Sequence, residues 1–272
     1  GDKVSEVRLA EVVPTNRVSV VKIFNKRLGY KRKQIRGNSI ITTLDLAVTE
    51  ASIMKKTGSY AVKLFAIFET PQHLFLEIEY APMGPLSTSN EDNMYTILEP
   101  TIARTAFCCL SEGVQALHAA GIVHGDIKPE NLMRMDSKGR IKLADFGSAI
   151  PIPNDEKKVN TWILGTPAFM APELLQHKAR FHGLGRDLKR TDDWSSAVTL
   201  HVITTGRLPF QGNSMEQVFA SMSNSEPDRK LEYASSSLQG LLSQMLRLRI
   251  EKRKFLVDVA GHAWVAVGTD RQ

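Results

Sequence analysis

The stretch His124-Gly125-Asp126-Ile127-Lys128-Pro129-Glu130-Asn131 places a carboxylate, an ammonium and a carboxamide within six residues, and Asp145-Phe146-Gly147 begins fourteen residues after Asn131. Ala171-Pro172-Glu173 closes the series, with a 28-residue step from Asp145 to Glu173. A carboxylate such as Asp126 can accept a hydrogen bond from a substrate hydroxyl and take its proton. Lys128, two residues on, can meet the charge of a phosphate. Oxygens of Asn131 and Asp145 suit magnesium, a hard cation that prefers such ligands. Phosphoryl transfer asks for little more, because its transition state is loose and catalysis is mostly positioning plus charge stabilisation. An isolated Asp-Phe-Gly reads as a tight turn with glycine at positive φ. The ordered set of motifs does not.

By these residue types, their order and their spacing, the chain resembles the eukaryotic protein kinase superfamily over nearly its whole length. The resemblance implies an α+β, bilobal protein kinase fold: a small β-rich N-lobe over residues 1–80, expected to be truncated at its start, and a larger, mainly helical C-lobe over residues 81–272. It implies ATP and Mg2+. Asp126 would receive the hydroxyl proton late, Lys128 would reach the γ-phosphate, and Asn131 and Asp145 would hold the metal.

The length of 272 residues suits one such catalytic unit. Apolar residues at 42% and charged residues at 24% are ordinary for a globular protein. Cys108 and Cys109 are adjacent in a helical pattern, which predicts neither a disulfide framework nor a zinc site and fits a reducing, cytoplasmic compartment. No run approaches the ~18 apolar residues of a membrane span, and no signal peptide is visible. The chain starts at Gly1, without methionine, so it is compatible with a fragment.

The net charge of +6 is concentrated. Lys26, Arg27, Lys31, Arg32, Lys33 and Arg36 stand together with no acid among them, and the rest is close to neutral. Such a run can bind nucleic acid, acidic lipid or an acidic partner, while its bland reading is a solvated loop. Tyr30 is its only aromatic residue, so no nucleic-acid partner is expected.

The small lobe contains a decoy. Ala61-Val62-Lys63 imitates the nucleotide-anchoring strand, but fifteen residues separate Lys63 from Ile78, too few for a helix carrying a partner glutamate. Lys22, in Val18-Ser19-Val20-Val21-Lys22, has an alternating strand before it and room for a helix after it. That helix is predicted from about Thr43 to Lys56, with Thr42 and Asp45 as its start signal. By resemblance, Lys22 binds the α- and β-phosphates and Glu50 orients it. A surface lysine and an unrelated surface glutamate are the bland alternative. Ala61 to Phe68, a turn at Glu69-Thr70-Pro71-Gln72, and His73 to Tyr80 read as a hairpin leading into the hinge. There the resemblance makes Ile78 the gatekeeper beside adenine, with backbone groups of Glu79 and Ala81 on the adenine edge.

The phosphate-covering loop departs from the family. Counting back from Val7, the strand valine expected to cover the nucleotide, the three glycine positions fall on Ser5, Asp2 and a residue before Gly1. Glycines let backbone N–H groups approach phosphates closely, and Asp2 would bring negative charge towards them. Val20 adds bulk beside adenine, where alanine is usual. A first small-lobe strand is expected to be missing or outside the chain. These departures keep open an alternative, a pseudokinase scaffold with weak or absent nucleotide binding.

In the large lobe, Ile102, Ala106, Leu110, Val114 and Leu117 recur at helical spacing before Gly121. Asp193 to Thr205 is apolar around most of its circumference and predicts a buried central helix ending before Gly206. By resemblance, Asp192 anchors the catalytic-loop backbone. Ser237 is expected to cap a later helix bearing Leu238, Leu241, Leu242, Met245 and Leu246. Arg253 matches the family arginine that pairs with Glu173; an exposed arginine in a basic tail is the alternative.

Lys128 and Gly165-Thr166-Pro167 match the serine/threonine branch, so serine or threonine hydroxyls on proteins are the expected acceptors. The run Gly165-Thr166-Pro167-Ala168-Phe169-Met170-Ala171-Pro172-Glu173 is similar to that of calcium/calmodulin-dependent protein kinase kinases and related upstream kinases. Gly84-Pro85 after the hinge, the position of the basic segment and Gly261-His262-Ala263-Trp264-Val265 lean the same way. The resemblance implies downstream kinases as substrates. Calmodulin binding is expected only through regions outside this chain. Gly125 stands where most regulated kinases place the arginine that grips a phosphate on the activation segment. Activity is therefore expected not to depend on phosphorylation of Thr161 or Thr166.

Overall fold

The structure is a computed structural model that describes residues 3–13, 15–36, 39–152, 155, 157–162, 165–177, 180–224 and 234–266. Gly1 and Asp2 of the phosphate loop, and the residues after Ala266, lie outside it.

Alternating sequence builds the first sheet. β1 (Ser5–Val12) and β2 (Arg17–Asn25) form a hairpin. The basic run follows as a helix, α1 (Lys26–Lys31), and a small hairpin, β3 (Lys33–Arg36) with β4 (Ser39–Thr42), so it is not the solvated loop of the bland reading. Asn25 caps α1 by accepting from the Leu28 N–H at 3.0 Å. Gly29 is required because a Cβ there would sit 2.9 Å from the Leu44 side chain.

The helix carrying Glu50 is α2 (Thr43–Met54), two residues shorter at its C-terminal end than expected and closed by Lys55. Its capping box is complete: the Asp45 N–H donates to Thr42 Oγ1 and the Thr42 N–H to Asp45 Oδ2. The second hairpin is β5 (Leu64–Glu69) with β6 (His73–Glu79). β5 therefore begins three residues later than predicted, at Leu64, where the ladder is irregular. The sheet order is β1-β2-β6-β5. Phe24, Leu74 and Leu76 from its strands meet Leu44, Ala47 and Ala51 from α2 in a core of their own.

A second core organises the helical lobe, so the two parts form the α+β, bilobal fold expected. α3 (Pro100–Ala119) buries Ala103, Ala106, Phe107, Leu110, Val114 and Leu117 and ends at Gly121, whose φ of +71° needs glycine. It delivers the chain through β7 (Ile122–Val123) to the catalytic loop, then to β8 (Leu132–Arg134) and β9 (Ile141–Leu143). After β10 (Ile150–Pro151), the strand β11 (Lys158–Trp162) of the activation segment is followed by α4 (Pro172–Gln176) and pairs with β12 (Arg180–Leu184).

The central helix α5 (Gly185–Thr205) starts eight residues before the predicted Asp193. Leu184, at its N-cap, makes no side-chain cap bond, so local sequence carries no start signal. Tertiary contacts hold the extra turns: the Arg186 N–H donates to the Asp155 carbonyl, Lys189 pairs with Asp155 at 2.5 Å, and Leu188 is fully buried. Of two further helices, α6 (Met215–Asn224) packs against α4 and α7 (Ser236–Met245) against α5. Ser235, not Ser237, caps α7, accepting from the Leu238 N–H at 3.3 Å. The last short helices are α8 (Leu256–Val259) and α9 (Ala263–Ala266), where Trp264 packs edge-on against Phe107. No described helix is long and apolar enough to cross a membrane.

Candidate active site

Lys22 sits on β2 and faces α2. Its Nζ donates to both Glu50 carboxylate oxygens at 2.9 and 3.0 Å and to Asp145 Oδ1 at 3.2 Å. Lys63, the decoy, lies apart, with Nζ 5.7 Å from the Phe65 ring centroid. Burial alone would lower the Lys22 pKa, but the Glu50 and Asp145 carboxylates outweigh it and hold the ammonium above its ordinary value. Burial raises Glu50, which Lys22 and the Phe146 N–H offset only in part. Asp145 keeps half its side chain open. Partial burial opposes ionisation there, but Lys22 outweighs it, so the carboxyl stays below its usual range and charged. Asp145 adopts the left-handed conformation, φ +57°, which aspartate tolerates better than most residues. Phe146 next to it is buried and packs 5.1 Å from the His124 ring, fixing the turn.

The catalytic loop is held from beneath. Asp192, buried near the middle of α5, accepts from the His124 N–H at 2.8 Å and the Gly125 N–H at 2.9 Å, and meets His118 Nε2 at 2.9 Å. Burial works against the charge on Asp192, but these donors, His118 foremost, keep its pKa low. Gly125 has φ +77°, and a Cβ there would lie 2.8 Å from the Ser148 carbonyl, so this loop conformation calls for glycine.

Above this support, Asp126 gathers four contacts. Its Oδ2 meets Lys128 Nζ at 2.9 Å and accepts from Asn131 Nδ2 at 3.0 Å. Its Oδ1 accepts from the Thr166 N–H at 2.9 Å and from Thr166 Oγ1 at 2.8 Å. Lys128 Nζ donates to the same Thr166 hydroxyl at 2.7 Å. The sequence marks Thr166 as a branch signature, but its place beside Asp126, 40 residues away in the chain, comes from the fold alone. The one sequence clue is its position four residues after the end of β11 and seven before Glu173.

Glu173 secures the activation segment. Arg253 Nη1 and Nη2 donate to its two oxygens, each at 2.9 Å, and the Arg253 side chain is fully buried. The guanidinium lies 4.7 Å from the Trp194 ring centroid.

At the hinge end, Ile78 lies opposite Val20 in the β2–β6 register, on the same face as Lys22 and bordering the large core. Val7 is opposite Lys22 on β1 and is 62% exposed. Ser5, the last expected glycine position, opens β1. Ala81 is buried, and its carbonyl accepts from the Gly84 N–H at 3.1 Å, turning the chain at Gly84, φ +68°. Glu79 carries an ion pair the sequence reading did not anticipate: Lys142 Nζ reaches its oxygens at 2.8 and 2.7 Å.

No cluster of three or more metal-ligating His, Cys, Asp or Glu side chains occurs among the described residues. Magnesium does not need one, because it keeps waters and substrate phosphate oxygens as ligands and takes only one or two protein oxygens. The donor set fits. Asn131 commits its amide nitrogen to the Asp126 carbonyl at 2.8 Å and to its carboxylate, leaving its oxygen as the end that can face a cation. Asp145 offers a charged carboxylate.

This arrangement is that of a protein kinase, and comparison with known proteins agrees. The protein kinase domain family matches residues 3–265, and the chain belongs to it. A probable serine/threonine-protein kinase of Dictyostelium discoideum is 30% identical, covering 96% of this chain and 36% of its own length. CBL-interacting serine/threonine-protein kinase 12 of Arabidopsis thaliana is 30% identical (97% and 50%), and serine/threonine-protein kinase TOS3 of Saccharomyces cerevisiae 29% (96% and 50%). The chain spans about a third to a half of the length of these relatives.

Proposed function

We propose that this chain transfers the γ-phosphate of ATP to serine or threonine hydroxyls of proteins. One observation carries the reading: two separate clusters, Lys22–Glu50–Asp145 and Asp126–Lys128–Asn131–Thr166, form together. Asp126 accepts the hydrogen bond of the attacking hydroxyl and receives its proton. Thr166 and Asn131 aim the carboxylate, and Lys128 stands beside it to meet charge on the transferring group. Lys22, oriented by Glu50, takes the α- and β-phosphates. Magnesium, bound through Asn131 and Asp145, supplies charge neutralisation on the phosphates. Ile78, Glu79, Ala81 and Val7 border the base. The lobes divide at the hinge, residues 1–80 and 81–272.

The scaffold alternative rested on absent glycines, Val20 and Gly125. Gly125 fits its backbone conformation, and no catalytic side chain is replaced.

Substrates that are themselves kinases are the finer reading. It is supported by the run Gly165 to Glu173, by Gly84-Pro85, and by the basic segment between β2 and α2, where Arg27, Lys31 and Arg32 are exposed. Calmodulin enters only through regions outside this chain. A reducing, cytoplasmic location is the reading that the adjacent helical positions of Cys108 and Cys109 on α3 support.

The test is the thermal midpoint with and without magnesium-ATP, with Asp145→Asn alongside. The reading predicts a rise that the substitution removes. No rise at millimolar ATP would contradict it.

A further inference from the structure

Lys142 sits on β9 three residues before Asp145, between Ile141 and Leu143, which are 6% and 1% exposed. Alternation along the strand therefore turns it away from that core. It meets the hinge instead: Nζ lies 2.8 and 2.7 Å from the Glu79 oxygens, with both side chains about three-quarters buried. Glu79 is the last residue of β6, where the chain leaves the sheet for the hinge.

The pair closes a ring of backbone bonds. Leu143 donates its N–H to the Tyr60 carbonyl at 2.8 Å and accepts at its own carbonyl from the Val62 N–H at 2.9 Å. One residue further, the Lys63 N–H donates to Glu79 Oε2 at 3.0 Å, and the Glu79 N–H donates to the Lys63 carbonyl at 2.8 Å. The strap from Tyr60 to Lys63 is thus stitched to β9 on one side and to the hinge on the other. The Lys142 ammonium links those two directly. In this partly buried setting the attraction is weakly screened and its geometry directional.

We infer that Lys142 is a positioning residue for the nucleotide: through Glu79 it fixes the hinge backbone relative to the strand that carries Asp145, setting the distance between the adenine and metal ends of the site. The inference rests on the proposed kinase activity only for its kinetic readout. Misalignment at the adenine edge weakens nucleotide binding, and once nucleotide is bound, the groups around Asp126 are untouched. Loss of Lys142 therefore acts on KM for ATP rather than on kcat.

The experiment compares Lys142→Met, Glu79→Gln, the double variant and Lys142→Arg. It measures kcat and KM for ATP, and the Kd of magnesium-ATP by titration of the same proteins, a readout that stands even if transfer is absent. The expected result is about tenfold weaker nucleotide binding and about tenfold higher KM for Lys142→Met, with kcat within about threefold. Glu79→Gln should match it, the double variant should be no worse than either, and Lys142→Arg should recover most of the loss. Unchanged Kd in both single variants, additive losses in the double variant, or a fall in kcat at constant KM would each overturn the inference. Wild-type protein that binds nucleotide with this pattern yet transfers no phosphate would sink the proposed function and leave the inference standing.

Discussion

Asp193 lies in α5, 7% exposed, and among the described residues its carboxyl accepts only a long hydrogen bond, 3.5 Å, from the Leu256 N–H. The charges that face it are mixed: His118 and Arg253 favour ionisation and Asp192 opposes it, while the Arg253 guanidinium is already shared with Glu173. Burial wins and pushes the Asp193 pKa from 3.8 up to about 6. A carboxyl raised in this way binds more protons in the folded than in the unfolded state between those values, so folding stability falls as pH rises from about 4 through 6. Above that window the penalty is complete. At about 1.4 kcal/mol per tenfold change in proton affinity, it amounts to about 3 kcal/mol. That is a large fraction of the ~5–15 kcal/mol that holds a domain folded. Asp193→Asn keeps the shape, can still accept from Leu256, and cannot ionise. It should raise unfolding free energy in urea by up to about 3 kcal/mol at pH 8, and the thermal midpoint by roughly 5–10 °C. About half the gain should remain at pH 5 and little at pH 4. A variant less stable than wild type at pH 8, or a gain that is the same at pH 5 and pH 8, would refute the reasoning.

Three further outcomes follow from the site. Thr166→Val removes the hydroxyl that bridges Asp126 and Lys128 and should lower kcat by about 10–100-fold while leaving magnesium-ATP affinity unchanged in a titration; full activity would show that the bridge is not used. Phosphatase treatment should leave the rate within about tenfold of untreated enzyme, because Gly125 supplies no guanidinium to hold a phosphate. In the same kinetic assay Gly125→Ala should lose activity, since it must strain the loop or displace Ser148.

Much of the site was legible because its determinants are local or ordered along the chain. The Thr42–Asp45 box marked the start of α2, and chain length between Lys63 and Ile78 was enough to prefer Lys22. The pairing of Arg253 with Glu173 and the hold of Asp192 on the catalytic loop were what the family resemblance implied. The misses are tertiary. α5 reaches back to Gly185 because Asp155 and β12 supply the support that Leu184 cannot give as a cap. Among the serines at 235–237, the capping role goes to Ser235, which puts Leu238, Leu241, Leu242 and Met245 on the buried face. The basic run became a helix through the Asn25 cap and the fit of Gly29 against Leu44, where charge counting left a binding segment or a solvated loop. Thr166 and Lys142 act on partners 40 and 63 residues away, beyond the reach of any periodicity.

The central claim is that Asp126 and its neighbours move a phosphoryl group. The most direct measurement is transfer of label from γ-labelled magnesium-ATP to a serine/threonine protein substrate, comparing the wild-type chain with Asp126→Asn and identifying the labelled amino acid. The account predicts phosphoserine or phosphothreonine with wild type and loss of nearly all label with Asp126→Asn, although the variant still binds magnesium-ATP. Label on tyrosine, equal labelling by the variant, or a wild-type chain that binds magnesium-ATP and transfers nothing would contradict it.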